Sequence, residues 1–175
     1  MIKHLVLYAL LLSAYTAMGQ EFKVEYDKDR DYTQYKTFRF GEGELTTPKD
    51  QQQVTAEQVD KWIKDSVTKE LELRGLKQVD SAADLVVSYV VGTLSKSDAG
   101  SVGPMGLTPG SMDRNYSRDY RMGNLVIDMN DKRSLMVWRI NATFEMSSAS
   151  AQSLIDAVVQ KGFKKYPKPS KKKKK

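Results

Sequence analysis

The alternation of two residue periodicities along the chain is the feature that most constrains its fold. A two-residue alternation of apolar and polar side chains is typical of strands, whereas apolar residues three and four apart are typical of helices. The sequence carries five segments of the first kind and two of the second, in the order ββαβββα. Hairpins between single helices favour an α+β fold, with a mostly antiparallel sheet of about five strands and two helices packed on one face.

The strand segments divide into an entry pair, a central strand and a hairpin. Gly41 and Gly43 are predicted to end the second strand, and residues 130–133 form the turn of the hairpin. In chain order the strands cover residues 22–26, 35–40, 84–91, 123–129 and 135–143. The inward faces of the hairpin are predicted to be Leu125, Ile127 and Met129 on one strand, and Met136, Trp138, Ile140 and Ala142 on the other.

The first helix is predicted over residues 55–74, and both of its ends are visible in the sequence. Thr55 and Gln58 have the spacing of a capping box at its start. Gly75 fits the left-handed position that commonly follows a helix. Its apolar face is predicted to be Val59, Trp62, Ile63, Ser66, Val67 and Leu71.

A second helix is predicted over residues 149–161. Ser147 or Ser148 is expected to be its N-cap, and Gly162 is expected to end it. Its apolar face is predicted to be Ala151, Leu154, Ile155, Val158 and Val159.

The first nineteen residues have the pattern of a cleavable signal peptide. Lys3 and His4 precede the apolar run 5–12, and small side chains follow it up to Gly19. An uncleaved membrane anchor is the alternative, but a spanning helix needs roughly 20 apolar residues and this run is shorter. We therefore expect cleavage after Gly19 and no transmembrane segment in the mature chain, whose single domain covers residues 20–163.

The positive charge of the chain lies in its last residues. Of 28 Lys and Arg, one is in the signal peptide and eight are in residues 164–175. The domain between them contains the other 19 and all 22 acidic residues, so its net charge is −3. This distribution does not favour a nucleic-acid partner. The tail is predicted to be disordered, and weak contact with anionic lipid or polysaccharide is predicted for Lys171, Lys172, Lys173, Lys174 and Lys175.

Residues 96–119 are rich in glycine and contain two prolines, so the sequence predicts a long flexible loop there. A loop of this length in a small domain either carries function or is mobile. Tyrosines and arginines alternate near its end, and this composition suggests a surface that binds a partner. The candidate partner-binding residues are Arg114, Tyr116, Arg118, Tyr120 and Arg121.

The residue inventory excludes several kinds of catalysis. The chain has no Cys, and its only His is in the signal peptide, so Ser-His-Asp triads, Cys-His pairs, thiol redox chemistry and His or Cys zinc sites are excluded. Asp27, Asp29 and Asp31 imitate the start of a calcium loop, but Tyr32 and Phe38 replace its required glycine and glutamate. The sequence therefore predicts a charged turn at this point. No catalytic residue, cofactor or metal ligand is predicted.

Carboxylate catalysis is the one enzymatic alternative that the composition leaves open. Glycoside hydrolysis uses two facing carboxyl groups, and Asp84, Asp128 and Asp131 are the candidates. Each also has a structural interpretation: Asp131 lies in the predicted turn, and Asp128 faces Arg139 across the hairpin as a cross-strand ion pair.

Several short segments together resemble a known family over most of residues 22–167. They are VEYDKD at 24–29, DYTQYKTF at 31–38, LRGL at 73–76, ADLVVSY at 83–89, GNLVID at 123–128 and VWR at 137–139 with Ala142. In this order they are similar to the bacterial envelope family called domain of unknown function 4136. The resemblance implies an envelope protein without a known active site, often tethered as a lipoprotein.

The chain departs from that family pattern at one point, because no Cys stands at the predicted cleavage junction. We therefore expect a periplasmic or secreted protein without a lipid anchor. The expected function is a non-catalytic module that binds or scaffolds an envelope protein or glycan, through a sheet edge or through residues 96–119. A carboxylate-dependent hydrolase acting on envelope glycans is the alternative.

Overall fold

The computed structural model describes residues 21–101, 115–146 and 150–167. These residues form a two-layer α+β domain, in which one face of a six-stranded sheet packs against two helices. The strands are β1 Glu21–Tyr26, β2 Thr37–Leu45, β3 Lys77–Gln78, β4 Leu85–Ser101, β5 Asn115–Asp131 and β6 Met136–Glu145. The helices are α1 Ala56–Glu72 and α2 Ala151–Phe163, and short 3₁₀ turns cover Tyr32–Gln34 and Lys49–Gln51. The predicted signal peptide lies outside the described residues.

The sheet is mixed, with strand order β1-β6-β5-β4-β2-β3. Neighbours among β1, β6, β5 and β4 are antiparallel, whereas β2 runs parallel to both β4 and β3. Parallel neighbours need a crossover connection, and α1 supplies it between β2 and the two later strands. The α+β prediction is confirmed. The differences are the two-residue strand β3 and the parallel pairing of β2.

Both predicted ends of α1 are confirmed. The Thr55 hydroxyl accepts a hydrogen bond from the backbone N–H of Gln58 at 3.2 Å. At the other end Gly75 has a φ of 84°, and the N–H of Leu76 donates to the carbonyl of Leu71 at 3.1 Å. This arrangement is a Schellman motif, which uses glycine because a left-handed residue with a side chain is strained.

The helix α2 differs from its prediction at both ends. Its N-cap is Ser150, whose hydroxyl accepts from the N–H of Ser153 at 3.2 Å. The candidates Ser147 and Ser148 lie outside the described residues. Gly162 does not end the helix: it is buried within the last turn, and a Cβ there would lie 2.7 Å from Cγ1 of Ile140. This glycine permits close packing of α2 on the sheet.

The prediction that Gly41 and Gly43 end β2 is wrong, because the strand continues to Leu45. Its register against β4 shifts between Phe40 and Gly43, as in a β-bulge. Gly43 is required by packing, since a Cβ at this position would overlap the ring of Tyr89. Glycine in a strand commonly marks a bulge or a close approach, and β2 shows both.

The two helices cover the same face of the sheet and contact each other. The Ser66 hydroxyl donates to Asp156 at 2.5 Å. Near the helix C-termini the buried side chain of Arg74 donates to Glu70 at 2.6 Å and to the carbonyl of Phe163 at 2.9 Å. Buried charge of this kind is tolerated because it is paired and hydrogen-bonded. The predicted inward residues Leu125, Ile127, Met129, Trp138, Ile140 and Ala142 are buried, whereas Met136 is exposed at a register shift.

An aromatic cluster closes the end of the core where α2 finishes. Trp138 stacks on Tyr26 with ring centroids 4.4 Å apart. The ring of Tyr166 lies edge-on to those of Tyr32 and Trp138, at 5.2 and 5.1 Å. Tyr166 is only 3% exposed, although the sequence places it in the tail. The packed domain therefore extends beyond the predicted boundary at residue 163.

Candidate functional site

The predicted loop at residues 96–119 is shorter in the structure, because strands enter it from both sides. β4 continues to Ser101 and β5 begins at Asn115. Four of the candidate partner-binding positions, Tyr116, Arg118, Tyr120 and Arg121, therefore belong to β5, whereas Arg114 and Lys171 to Lys175 lie outside the described residues. The polar sequence conceals this part of the strand pair, because backbone pairing across a ladder requires no apolar face.

The two strands continue as an antiparallel ribbon beyond the rest of the sheet. Its register runs from the pair Ser95 and Arg121 to the pair Ser101 and Asn115. Seven residues of a strand span roughly 20 Å. We call residues 95–101 and 115–121 the arm.

Neither edge of the arm is paired with another strand among the described residues. The register of β2 with β4 ends at Val91. On the other side, the register of β6 with β5 ends at Met122, and one further bond joins the N–H of Met146 to the carbonyl of Arg121 at 2.8 Å. Free edges expose N–H and C=O groups that can pair with another chain. An isolated two-stranded hairpin is only marginally stable in water.

The register separates the candidate residues into two sets. Alternate residues of a strand lie on the same face. Positions 116, 118 and 120 share one face of the arm, whereas position 121 belongs to the face that continues toward Leu125 and the helices. The four candidate positions in β5 are therefore divided between the two faces of the strand.

An apolar crevice of about 100 Å³ lies at the base of the arm, between the sheet and the two helices. We call it the crevice. Its described walls come from six strands and helices and include Leu45, Val59, Val91, Phe144 and Ile155. The last four of these are each less than 9% exposed, so packing with the core holds them in place.

Glycine and threonine shape this crevice. The ring of Phe144 lies close over Gly123, where a Cβ would be 2.7 Å from its Cζ. At the opposite wall the N–H of Thr93 donates to the hydroxyl of Thr47 at 2.9 Å, and the two hydroxyls are 3.1 Å apart. These bonds fix the segment that follows β2 against β4. Residues 51–53, farther along the same segment, form a polar part of the rim of the crevice.

The rim of the crevice is cationic. Arg121 is the one charged side chain among its described lining residues, and it is exposed. Ala151, the first residue of α2, also lines the crevice, and the first turn of that helix has no acidic residue. The N-terminus of a helix carries a partial positive charge. The rim therefore favours an anionic group.

A second cleft, at the opposite end of the sheet, brings together the two candidate carboxylates Asp84 and Asp131. Asp84 accepts from the ammonium of Lys132 at 2.8 Å and from the N–H groups of Lys36 and Thr37 at 2.8 and 3.0 Å. The Lys132 ammonium has the largest effect on the pKa of Asp84 and, with these N–H groups and against burial, lowers it to about 2.

Asp131 is also held in its ionised form. Burial by itself raises the pKa of Asp131, but the N–H groups of Leu135 and Arg133 and the guanidinium of Arg30 together lower it. Arg30 donates to this carboxylate at 3.1 Å. Glycoside hydrolysis requires one carboxyl group that stays protonated as the general acid. Neither carboxylate in this cleft has an environment that favours protonation.

The third candidate carboxylate, Asp128, has the structural role that the sequence suggests. Its register partner is Arg139 on β6, and the two groups make two contacts of 2.6 Å each. The pair lies on the sheet face away from the helices. The predicted cross-strand ion pair is confirmed.

The aspartates that imitate a calcium loop form turns. Asp27 accepts from the N–H of Asp29 at 3.0 Å, and Asp31 accepts from the N–H of Thr33 at 2.8 Å. Within the described ranges, no three or more His, Cys, Asp or Glu side chains converge to hold a metal ion. None of the helices described combines the length and hydropathy needed to cross a bilayer.

The sequence did not reveal the crevice, because its walls are assembled from residues that look like ordinary core. It also missed the burial of Tyr166. One available signal was the spacing of Tyr116, Arg118 and Tyr120 at alternate positions, which is typical of a strand.

The fold and the site define a small two-layer α+β domain with a protruding arm. Its sequence matches the family described as Domain of unknown function (DUF4136) over residues 22–168, and the chain belongs to that family. No curated protein matches the sequence.

Several solved structures are similar to this chain at low sequence identity. A DUF4136 family protein from Bacteroides thetaiotaomicron is 17% identical with a TM-score of 0.50, over 84% of this chain and 95% of that one. PelC from Paraburkholderia phytofirmans, solved as a dodecamer, is 11% identical with a TM-score of 0.49, over 82% and 94%. A PDZ domain protein from Parabacteroides distasonis is 15% identical with a TM-score of 0.48; the match covers 91% of this chain and only 40% of that one.

Proposed function

We propose that this protein is a non-catalytic module of the bacterial cell envelope that binds a partner protein through its arm. The observation that carries the proposal is the continuation of β4 and β5 past all neighbouring strands, as far as the pair Ser101 and Asn115. Such a ribbon leaves two edges for a partner strand, which gains main-chain hydrogen bonds when it is added. The same addition stabilises the ribbon, which is marginal alone.

Two further features support binding rather than catalysis. The carboxylates of Asp84 and Asp131 are each paired with a cation, so they stabilise the domain and lack a free acid for hydrolysis. Residues 20–175 contain neither His nor Cys. The predicted export signal at residues 1–19 supports a periplasmic or secreted location, and the absence of Cys at its junction supports a protein without a lipid anchor.

The test is affinity capture from envelope extract with the full chain and with a chain whose arm is shortened. Residues 97–119 are replaced by Asn-Gly, which closes a two-residue hairpin between the paired positions Lys96 and Tyr120. We expect an unchanged thermal midpoint and the loss of one or more captured proteins, each then confirmed by direct binding of the purified protein.

The matched control keeps the arm and changes the other end of the domain by Arg133→Gln. Equal capture by the full and shortened chains would remove the arm from the proposed function. If the full chain is oligomeric in solution and the shortened chain is monomeric, the partner is a second copy of this protein. Arm-dependent recovery of polysaccharide alone would contradict a protein partner.

A further inference from the structure

The crevice combines an apolar interior with a cationic rim at the point where the arm leaves the sheet. We infer that it binds a branched aliphatic side chain that stands next to a carboxylate on the partner. This inference rests on the proposed function, because the group belongs to the protein that the arm recruits.

The size of the crevice fits a side chain of three or four carbon atoms. An apolar cavity of roughly 150 Å³ takes benzene, and the crevice measures about 100 Å³. The walls are Val59, Val91, Phe144 and Ile155, which are 6, 8, 7 and 3% exposed. Close packing with the core prevents their collapse into the space. Valine, leucine and isoleucine side chains have the matching size and shape.

The charge of the rim selects a carboxylate. Arg121 presents a guanidinium, which recognises planar carboxylates through two parallel hydrogen bonds. The N–H of Ser153 donates to its N-cap Ser150, whereas the N–H groups before it have no acceptor within α2, and Ala151 brings this terminus to the crevice. No acidic residue is present among the described lining residues to compete for these donors.

The position of the crevice fits a strand added to the arm. A partner strand that pairs along the free edge of β5 stops where the N–H of Met146 donates to the carbonyl of Arg121. Met146 lines the crevice. The residue at the end of such a strand therefore lies beside the crevice, with its side chain and a neighbouring carboxylate within reach of Arg121.

A small probe tests the crevice without the partner. The probe is 4-methylpentanoate, in which one methylene group joins an isobutyl group to a carboxylate. Binding to the full chain is followed by methyl NMR shifts of Val59 and Ile155. For eight non-hydrogen atoms we expect a Kd on the order of 1 mM. The neutral alcohol 4-methylpentanol should bind about threefold more weakly, and acetate about a hundredfold more weakly, because it lacks the apolar group.

Two substitutions separate the apolar and the charged parts. Ala151→Leu fills the crevice from the first turn of α2 and should abolish probe binding; Gln152→Leu, at the neighbouring exposed position, should leave it unchanged. Arg121→Gln should lower carboxylate affinity to that of the alcohol and leave the alcohol unaffected. Shifts confined to other regions, or equal binding by the Ala151→Leu protein, would overturn the inference. An unchanged carboxylate affinity after Arg121→Gln would overturn the assignment of the anion.

Failure of the crevice to bind its ligand can be distinguished from failure of the arm to recruit a partner. The chain with the shortened arm keeps Arg121 and the crevice walls, so it should bind the probe like the full chain whether or not capture depends on the arm. If the arm does recruit a partner, Ala151→Leu should weaken its binding, and Gln152→Leu should not. Undiminished partner binding by the Ala151→Leu protein would contradict the inference and leave the proposed function standing.

Discussion

Trp138 and Tyr166 are buried side by side, and each has a polar atom without a hydrogen-bond partner among the described residues. The hydroxyl of Tyr32, in the same cluster, lies 2.9 Å from the carbonyl of Val137 and 3.0 Å from that of Asp27. Burial raises the pKa of Tyr32 to about 12, and burial also raises the pKa of Tyr166, so both are neutral phenols. Of these three aromatic side chains, only Tyr32 therefore has a hydrogen-bonded polar atom among the described residues.

Removing the hydroxyl groups should reveal this difference. Tyr166→Phe deletes a buried hydroxyl without a partner, so we expect a free energy of unfolding that is unchanged or about 1 kcal/mol higher. Tyr32→Phe leaves a buried carbonyl unpaired and should cost about 1 kcal/mol. Tyr166→Ala should cost about 3 kcal/mol, because it removes the ring. Urea unfolding measures all three, and a loss for Tyr166→Phe equal to that for Tyr32→Phe would contradict the prediction.

Asp84 makes the stability of the domain depend on pH in acid. Its pKa is about 2 in the folded protein, against 3.8 without these contacts. A lowered folded pKa means that the carboxylate stabilises the fold above the unfolded pKa and loses this effect as the pH falls through the folded pKa. Asp84→Asn should therefore be less stable than the parent at pH 7, and the difference should shrink between pH 4 and pH 2.

Urea midpoints at a series of pH values measure this effect. Asp80→Asn is the matched control, since Asp80 is exposed and has none of the contacts that surround Asp84. A difference between Asp84→Asn and the parent that stays constant down to pH 2 would show that the ionisation of Asp84 is not its cause.

At the scale of elements, glycine has a different structural role in each of the two helices. Gly75 ends α1 through its left-handed backbone. Gly162 lies within α2, where alanine normally forms helix better by about 1 kcal/mol. The approach of Ile140 reverses this preference, because the Cβ of an alanine would lie 2.7 Å from its Cγ1 and closer still to its Cδ1.

Gly162→Ala should accordingly destabilise the domain by about 1 to 3 kcal/mol through overpacking. Ile140→Val removes the Cδ1 atom that a Cβ at residue 162 would meet first. The double variant should therefore lose less stability than the sum of the two single losses. A double-mutant cycle of unfolding free energies measures this coupling, and strict additivity would exclude the contact as the cause.

The elements that could be predicted are those specified by local chemistry. The start and end of α1 follow from Thr55 and Gly75, and the inward residues of β5 and β6 follow from alternation, because each signal acts within a few residues. The continuation of β2 past Gly41 could not be predicted, since it depends on Tyr89, which is distant in sequence. The arm was missed for the same reason: its strands are specified by each other and not by an apolar face.

The partner-binding role of Tyr116, Arg118, Tyr120 and Arg121 stays a prediction. The sequence indicated the region of Tyr116 to Arg121 as a binding surface, and the structure gives this region a strand pair that projects from the sheet. Only Arg121 of that set lines the crevice. The crevice could not be predicted, because Val59, Phe144 and Ile155 come together only in the folded domain, and nothing in their spacing distinguishes a crevice wall from a filled core.

At the scale of the whole molecule, the arm and the C-terminal segment lie at opposite ends of the sheet. Tyr166 is held in the aromatic cluster beside Trp138, whereas the arm continues from the end where Phe144 lies over Gly123. The described part of the chain therefore ends, at Pro167, far from the arm. Contacts with a charged surface and with a partner can then occur together.

The lysines after residue 167 predict binding to anionic surfaces. Each lysine near an anionic membrane contributes about 1 kcal/mol at low salt, so the full chain should partition onto vesicles that contain anionic lipid. Deletion of residues 168–175 should remove this partitioning, as should high salt. Co-sedimentation with anionic and with neutral vesicles measures it. Unchanged binding of the shortened chain would exclude the tail, and substitution of anionic polysaccharide for lipid tests the other predicted surface.

The position of β1 at the edge of the sheet also bears on how the chain folds. Among the described residues β1 pairs with β6 alone, from Glu21 opposite Thr143 to Tyr26 opposite Trp138. This strand can therefore take its place only after β6, which lies more than a hundred residues later in the chain, has formed. Pairing of strands so distant in sequence is slow to form. Until β6 forms, β1 has no partner strand, and a chain at that stage exposes unpaired strand edges. This edge of the sheet is therefore the part that is completed late in folding.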